Sequence, residues 1–501
     1  MKHVVNFKSL FPIGILAALF SQPLEIRAGE VNHPALIPQP AAVQWREGVF
    51  RAGEKISVAA GPFTNEARLL NLPIDEAAGT IRFVAVAGLP PEGYELDVAT
   101  TGAILRASSP AGAFYAAQTL LQLRSPDHSF PCVAIRDAPR FSWRGLMLDC
   151  SRTFQSADYL RKTIDRLAAY KMNVLHLHLT DDQGWRLEIK KYPELTQKAA
   201  RFPDQFHEPE TVQGFYSQEQ MRELVAYAAS RHVTIVPEIE MPGHSLAALS
   251  VFPQLSCAGG PFEIFPFFKG PNITPDIYCA GNEEVFTFMS NVLAEVAAVF
   301  PSAVVHIGGD EAPKDRWKKC PRCQQRMKEL GLQNEEQLQA WFNQRVEKML
   351  NASGRRLIGW DEILEGGLTP GAMVMSWRGT KGGETAALAG HDVVMSPTSH
   401  CYFDYAYKVT STQKVYAYEP IPAGLPADKA RHILGAQANF WSHIDRTPER
   451  TDFQIYPRLL ALAERTWSPQ DCRDWQDFQV RLQSHHTRLA ALGVHFNADE
   501  K

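Results

Sequence analysis

From Phe141 onward the chain repeats one pattern, a short apolar and β-branched run followed by a stretch with helical spacing. The strand candidates are Arg144–Asp149, Val174–Leu179, Val233–Ile239, Val304–Ile307, Arg356–Trp360, Ala372–Trp377, Asp392–Ser396 and Ile433–Trp441. Helical patterns lie between most of them, among them Ala157–Tyr170, Gln218–Ser230, Glu283–Val299 and Glu335–Leu350. Eight buried strands alternating with helices predict an α/β fold of the (β/α)8 TIM-barrel type over residues 141–501. A doubly wound open sheet is the competing arrangement, but no Gly-rich phosphate loop follows the first strand. Helices around Leu459–Arg465 and Phe478–Leu492 then close the ring.

Residues 29–140 have a different texture. Pro34, Pro38 and Pro40 mark turns, Tyr94–Val98 and Ala103–Ala107 read as strands, and Ala111–Leu123 reads as a helix with Phe114, Ala117, Leu120 and Leu121 on one face. This is the pattern of a small α+β accessory domain, with Asp137-Ala138-Pro139-Arg140 as its boundary to the barrel. Ahead of it, residues 1–28 resemble an export signal: Lys2, His3 and Lys8 precede the apolar run Leu10–Phe20, too brief to span a bilayer comfortably. The expectation is a periplasmic or secreted protein with no stable membrane insertion.

A net charge of -4 and the absence of a long basic run give no reason to expect a nucleic-acid partner. Eight cysteines fit an oxidising compartment without proving one. Cys257 and Cys279 bracket a Gly/Pro/Phe-rich loop and could staple it, while Cys320 and Cys323 form a lone C-x-x-C. A zinc site needs two further ligands nearby, and no second C-x-x-C exists, so a local disulfide or free thiols is favoured over metal.

Chemistry gathers at the strand ends. The fourth strand runs V-V-H-I and breaks at Gly308-Gly309, where the backbone can turn freely, and Asp310 and Glu311 follow at once. The second ends in His176, His178, Asp181 and Asp182, and the third in Glu238, Glu240 and His244. Trp360, Trp377 and Trp441 end the fifth, sixth and eighth, and Tyr402, Asp404 and Tyr405 follow the seventh. Carboxyl ends of barrel strands are where such a fold keeps its active site. Indole rings can wall the apolar face of a sugar while carboxylates and arginine grip its hydroxyls.

The segments W-R-G-L-M-L-D, P-E-I-E-M-P-G-H, H-I-G-G-D-E, L-I-G-W-D-E-I, S-W-R-G, G-A-Q-A-N-F-W and A-E-R-T-W-S resemble, in order, those of the family 20 glycoside hydrolases, the β-N-acetylhexosaminidases. The likeness runs from about Pro34 to about Ser468. It implies a retaining, substrate-assisted hydrolysis of terminal N-acetylhexosamine from glycans, without a cofactor or metal. Glu311 matches the general acid and Asp310 the residue that holds the acetamido N–H. Asp181, Glu240 and His244 match a supporting acid–histidine shell. Arg144 matches the arginine that grips ring hydroxyls, Trp360, Trp377 and Trp441 the pocket walls, Tyr402 the donor to the acetamido oxygen, and Asp404 its neighbour. One departure is plain: where the family commonly has Trp-x-Glu after the eighth strand, this chain has Trp441-Ser442-His443.

Two other classes compete. His176-x-His178 on a barrel strand, followed by Asp181, resembles the metal pair of an amidohydrolase, although the other strand ends bring mainly Trp and Glu. A carbohydrate-binding protein that has lost catalysis is the third, and the intact Asp310-Glu311 pair argues against it.

Overall fold

The computed structural model describes residues 33–51, 56–270 and 273–498, so the segment read as an export signal lies outside the described residues. Eight parallel strands form a closed barrel: Trp143–Asp149, Val174–His178, Thr234–Glu238, Val304–His306, Arg356–Trp360, Met373–Ser376, Val393–Met395 and Ile433–Phe440. Each pairs with its neighbour in sequence, and the eighth returns to the first over Gly435↔Trp143 to Phe440↔Leu148. These are the expected strands, most of them trimmed by a residue or two where the βα loops begin.

The barrel strands are buried along nearly their whole length because helices cover them outside and side chains fill them inside. The lower interior is apolar, built from Trp143, Val174, Val236, Val304, Ile358, Met373, Met375 and Val394. Toward the carboxyl ends the interior turns polar, with His176, His178, Glu238 and His306 fully enclosed. Helix starts follow from short polar residues that accept a backbone N–H: Ser156 before Ala157–Ala169, Asn282 before Glu283–Val299, Asn334 before Glu335–Ala352. Ser217 and Gln220 complete a capping box before Gln218–Ala229.

The accessory unit is a six-stranded mixed sheet in the order Ala42–Arg51, Ser129–Asp137, Tyr94–Ala99, Gly102–Ala107, Ile81–Ala85, Val58–Ala59. Its helix, Pro110–Leu123, buries more than the single expected face: Phe114, Tyr115, Ala116, Ala117 and Leu120 are all inaccessible. The reason is that it lies between the sheet and the barrel, with Phe114 against His232 and Tyr115 against Trp467. Asp137 is the polar rivet of that junction, accepting from Tyr94 Oη at 2.7 Å, Lys171 Nζ at 3.0 Å and Trp467 Nε1 at 2.9 Å.

All eight cysteines are free thiols, so of the two alternatives left open for them the structure shows no staple across Cys257 and Cys279. Those two residues instead meet Cys320 and Cys323, far ahead in sequence, which brings the C-x-x-C the two further thiols that its local sequence lacks.

Arg144 belongs to the junction too. Its guanidinium pairs with Glu92 at 2.7 Å and donates to the Lys171 and Phe141 carbonyls, each at 2.7 Å, with no exposed surface left. Breaking a buried ion pair from one side typically costs about 3–5 kcal/mol, because the remaining partners stay desolvated and unpaired. Arg144→Met is therefore expected to lower the unfolding free energy by about that amount, read as a fall in the urea midpoint at unchanged slope.

Candidate active site

Seven of the eight strand ends converge on one cavity of about 320 Å³, lined by Arg152, Asp181, Glu240, His244, Asp310, Glu311, Trp377, Tyr402, Asp404, Tyr405, Trp441 and His443. That volume sits at the small end of ligand pockets, which run roughly 300–1,000 Å³. It suits a single ring better than a chain.

Asp310 and Glu311 reach it because the chain just past the fourth strand turns at Gly308 and Gly309, with φ of 66° and 91°. The Glu240 carboxylate lies against Gly308, where a Cβ would fall 1.6 Å from Oε2, so only glycine lets the two loops close together. Glu311 and His244 themselves take φ of 40° and 44°, a left-handed conformation costly for residues with side chains. The two turn toward each other: His244 Nε2 stands 3.4 Å from Glu311 Oε2 and 3.8 Å from Asp310 Oδ2. Its Nδ1 is 3.2 Å from Asp181 Oδ1. Burial opposes charge on the ring, but Asp181, Glu311 and Asp310 outweigh it and hold His244 well above the usual histidine range. The result is a buried chain, Asp181–His244–Glu311, ending at a carboxyl whose side chain remains 35% exposed to the cavity.

Asp310 is enclosed, and its Oδ1 finds no hydrogen-bond partner among the described residues. Burial, with the Glu238 and Glu311 charges, pushes its carboxyl up to about 6 against the pull of His244. Opposite stand Tyr402 and Trp377, stacked at 6.1 Å, and Trp441, 6.4 Å from Tyr402. Burial holds the Tyr402 phenol well above its ordinary range, so it stays a donor. Trp377 is fixed by its Nε1 donating to Glu362 at 2.9 Å.

Of the residues singled out in the sequence, Asp181, Glu240, His244, Asp310, Glu311, Trp377, Tyr402, Asp404 and Trp441 all line the cavity. Trp360 does not. It is buried beneath the cavity, donating from Nε1 to Glu238 at 2.8 Å and packing on Trp441 at 5.9 Å. Arg144 is a clear correction: it stands second in its strand, at the end of the barrel away from the mouth, and is spent on the domain junction. The arginine of the cavity is Arg152, in the loop just past that strand's end. Its guanidinium lies 5.0 Å over the Trp441 ring and pairs with Asp181 at 2.8 Å. Counting from the carboxyl end of the first strand would have found it. His443 faces the cavity, and burial and Arg152 hold its pKa below normal, so it is a neutral ring.

Below the cavity, Glu238 accepts from His178 Nδ1 at 2.7 Å, and His306 Nδ1, which itself accepts from the Gly308 N–H, and His176 Nε2 stand 2.8 Å and 3.0 Å from the same carboxylate. The other nitrogen of His178 meets Asp181 at 2.8 Å. Despite burial, these carboxylates raise His178 to about 10, while burial lowers His176 to about 4. Both ring nitrogens of His178 are hydrogen-bonded to carboxylates, Glu238 and Asp181, so this histidine ties the barrel floor to the acids above it.

Known proteins carry the same framework. Residues 141–470 match the glycosyl hydrolase family 20 catalytic domain, and residues 33–138 match domain 2 of that family. A β-hexosaminidase of Porphyromonas gingivalis is 44% identical over 92% of the chain, which spans 64% of that protein's length. One of Akkermansia muciniphila is 33% identical over 95% of the chain and 94% of its own length. The crystal structure of a GH20 exo β-N-acetylglucosaminidase from Vibrio harveyi, in complex with N-acetylglucosamine, superposes with a TM-score of 0.85 at 32% identity, covering 97% of the chain and 82% of that structure. With both regions matched in order and the cavity inside the catalytic-domain match, the chain belongs to glycosyl hydrolase family 20.

Proposed function

We infer that the protein is an exo-acting, retaining β-N-acetylhexosaminidase that releases terminal β-linked N-acetylglucosamine or N-acetylgalactosamine from glycans by substrate-assisted catalysis. One observation carries the reading: a buried, unpartnered Asp310 oxygen and a half-exposed Glu311 carboxyl share a cavity sized for one ring. Adjacent residues cannot flank a glycosidic bond as acid and nucleophile, since successive side chains diverge. The nucleophile then comes from the substrate. Glu311 gives its proton to the glycosidic oxygen as the C–O bond breaks, and the 2-acetamido oxygen bonds to the anomeric carbon, forming an oxazolinium ion. Asp310 Oδ1 accepts from the acetamido N–H and stabilises the positive charge as it spreads there. Tyr402 donates to the acetamido oxygen. Water then loses a proton to Glu311 while its oxygen opens the ring from the same face, which restores the β configuration. His244 holds the Glu311 carboxylate between the two half-reactions, with Asp181 behind it. Trp441 floors the sugar, and Arg152 takes the hydroxyl-gripping role that the motifs gave to Arg144.

The apolar run Leu10–Phe20 after Lys2, His3 and Lys8 supports export to the periplasm or beyond. Among the described residues no helix is long and apolar enough to cross a membrane.

Glu311→Gln keeps shape and deletes the acid, so kcat on a natural disaccharide should fall by a factor on the order of 100–10,000 with KM little changed. Asp310→Asn should lower kcat by about 100-fold or more, and a β-glucoside lacking the acetamido group should hardly react with the wild type. Wild-type kcat in either variant would refute the role given to that residue.

The free enzyme must hold Asp310 ionised to accept the N–H. With its pKa near 6, the acceptor is present above that pH and lost below it. The kcat/KM profile of the free enzyme should therefore fall on its acid side with a midpoint near 6, about tenfold per pH unit.

His443 places a neutral imidazole where relatives with Trp-x-Glu present a carboxylate. Asp445 does not replace that acid, being turned to Arg450 at 3.1 Å and Gln454 at 3.2 Å. We propose that this edge admits an axial 4-hydroxyl or a 6-sulfate, which a carboxylate would disfavour. His443→Glu should lower kcat/KM for a 6-sulfated N-acetylhexosaminide by about tenfold relative to the unsulfated one. Unchanged ratios among gluco, galacto and sulfated substrates would remove His443 from the specificity edge.

A further inference from the structure

Away from the sugar cavity, two loops of the barrel mouth are joined by sulfur. Cys257 and Cys279 lie on the segment between the third strand and the helix Glu283–Val299. Cys320 and Cys323 lie beyond the fourth strand, Cys320 capping the helix Pro321–Leu330 and Cys323 inside it. The sulfurs of Cys257 and Cys323 are 3.7 Å apart, those of Cys279 and Cys320 3.7 Å, and those of Cys279 and Cys323 3.6 Å. All four fall within 4.8 Å of one another.

That spacing is diagnostic. Thiolates bound to zinc at about 2.3 Å and set at tetrahedral corners stand about 3.8 Å apart. A disulfide needs about 2.05 Å and one partner per sulfur. Here Cys279 is as near to Cys320 as to Cys323, and Cys323 is as near to Cys257 as to Cys279, so no pairing is singled out. The backbone is shaped to the cluster as well. Gly281 presses on the C-x-x-C turn, where a Cβ would fall 2.2 Å from the Arg322 carbonyl carbon, and its N–H lies within reach of the Cys279 and Cys323 sulfurs. The Arg322 guanidinium, anchored to the Ser256 carbonyl at 3.0 Å, supplies a positive charge beside a group that would carry two negative ones.

We propose that Cys257, Cys279, Cys320 and Cys323 bind one Zn²⁺ ion in a closed tetrahedral thiolate site that clamps the third and fourth βα loops together. Binding releases the four thiol protons, and four protein ligands leave no position for water or substrate, which makes the ion structural rather than catalytic. The donor set favours zinc over magnesium or calcium, which take oxygen. What the clamp holds is the reaction geometry. The third loop carries His244 and the fourth carries Glu311. Between clamp and cavity, the Tyr278 N–H donates to the Pro242 carbonyl at 3.1 Å, and Trp317 Nε1 donates to the Tyr278 carbonyl at 2.9 Å. None of the four cysteines lines the sugar cavity.

The test is metal analysis of the full chain, purified without a metal-affinity tag and dialysed against EDTA. The expected content is about one zinc per chain, released stoichiometrically when the thiols are titrated with p-hydroxymercuribenzoate. Intact mass after denaturation should show the four cysteines reduced. Zinc-stripped protein should melt at least about 5 °C lower than the zinc-loaded form and regain its Tm on adding zinc. Cys320→Ser should lose the zinc, and if that chain does not fold, the wild-type metal content and release still decide. Protein free of zinc from zinc-replete cells overturns the proposal, whether its thiols are free or its mass is lower by the hydrogens of two disulfides. Iron in place of zinc overturns it equally.

Discussion

The site depends on one buried carboxylate. Asp181 forms an ion pair with Arg152 at 2.8 Å and hydrogen bonds with His178 at 2.8 Å and His244 at 3.2 Å, with almost no exposed surface. Burial alone would neutralise it, since a bare carboxylate loses several kcal/mol of hydration in such a place. Its three basic neighbours reverse that and hold it well below the usual carboxylate range. Each of them belongs to a different part of the site: Arg152 to the cavity wall, His178 to the barrel floor, His244 to Glu311. One charge therefore fixes the relative positions of groups from three strand ends. Fixing them by packing alone would be less accurate, because loop ends lack the lateral hydrogen bonds that hold strands in register.

Asp181 can do this only because the loops are forced close. Gly308 leaves room for the Glu240 carboxylate, and His244 and Glu311 accept left-handed backbone so that their side chains meet. Such strain persists only where surrounding contacts over-determine the conformation. The Asp181–His244 contact on one side and the paired loops behind the cysteine cluster on the other are contacts of that kind.

Much of this was legible in the sequence, for identifiable reasons. Buried parallel strands announce themselves as apolar runs, so all eight could be read, and a strand's last residues then fall at the mouth by topology. Glu311, Asp310, His244 and Trp441 followed from that rule. Arg144 was misassigned because its motif outweighed its place: it stands near the start of its strand, which the same rule puts at the opposite end. Trp360 ends its strand yet lies under the cavity, because its indole is drawn down to Glu238. The cysteine quartet was hidden for another reason. Its members come from two loops that only the parallel pairing of the third and fourth strands brings side by side, so local spacing showed half of it.

The remaining question is why a cavity proposed to take a neutral sugar is built with so many acids. Asp181, Glu240, Asp310, Glu311 and Asp404 line it, against Arg152 and His244. They cannot all ionise together at close range. Burial and mutual repulsion accordingly push Asp310 to about 6 and Asp404 to about 7, and raise Glu240 well above its ordinary value. A fold selected for stability alone would replace some of these groups, since each raised carboxyl reports a charged form that the native state disfavours. The arrangement makes sense when positive charge arrives. An oxazolinium ion at the anomeric carbon would sit in a field already directed at it, by dipoles and charges that need not reorganise. The native state bears the cost of assembling that field during folding, when the hydrophobic core of two domains is available to offset it, and the transition state receives the benefit. The strain at Glu311 and the crowding of acids around Asp310 are then two forms of the same investment, placed where the bond breaks.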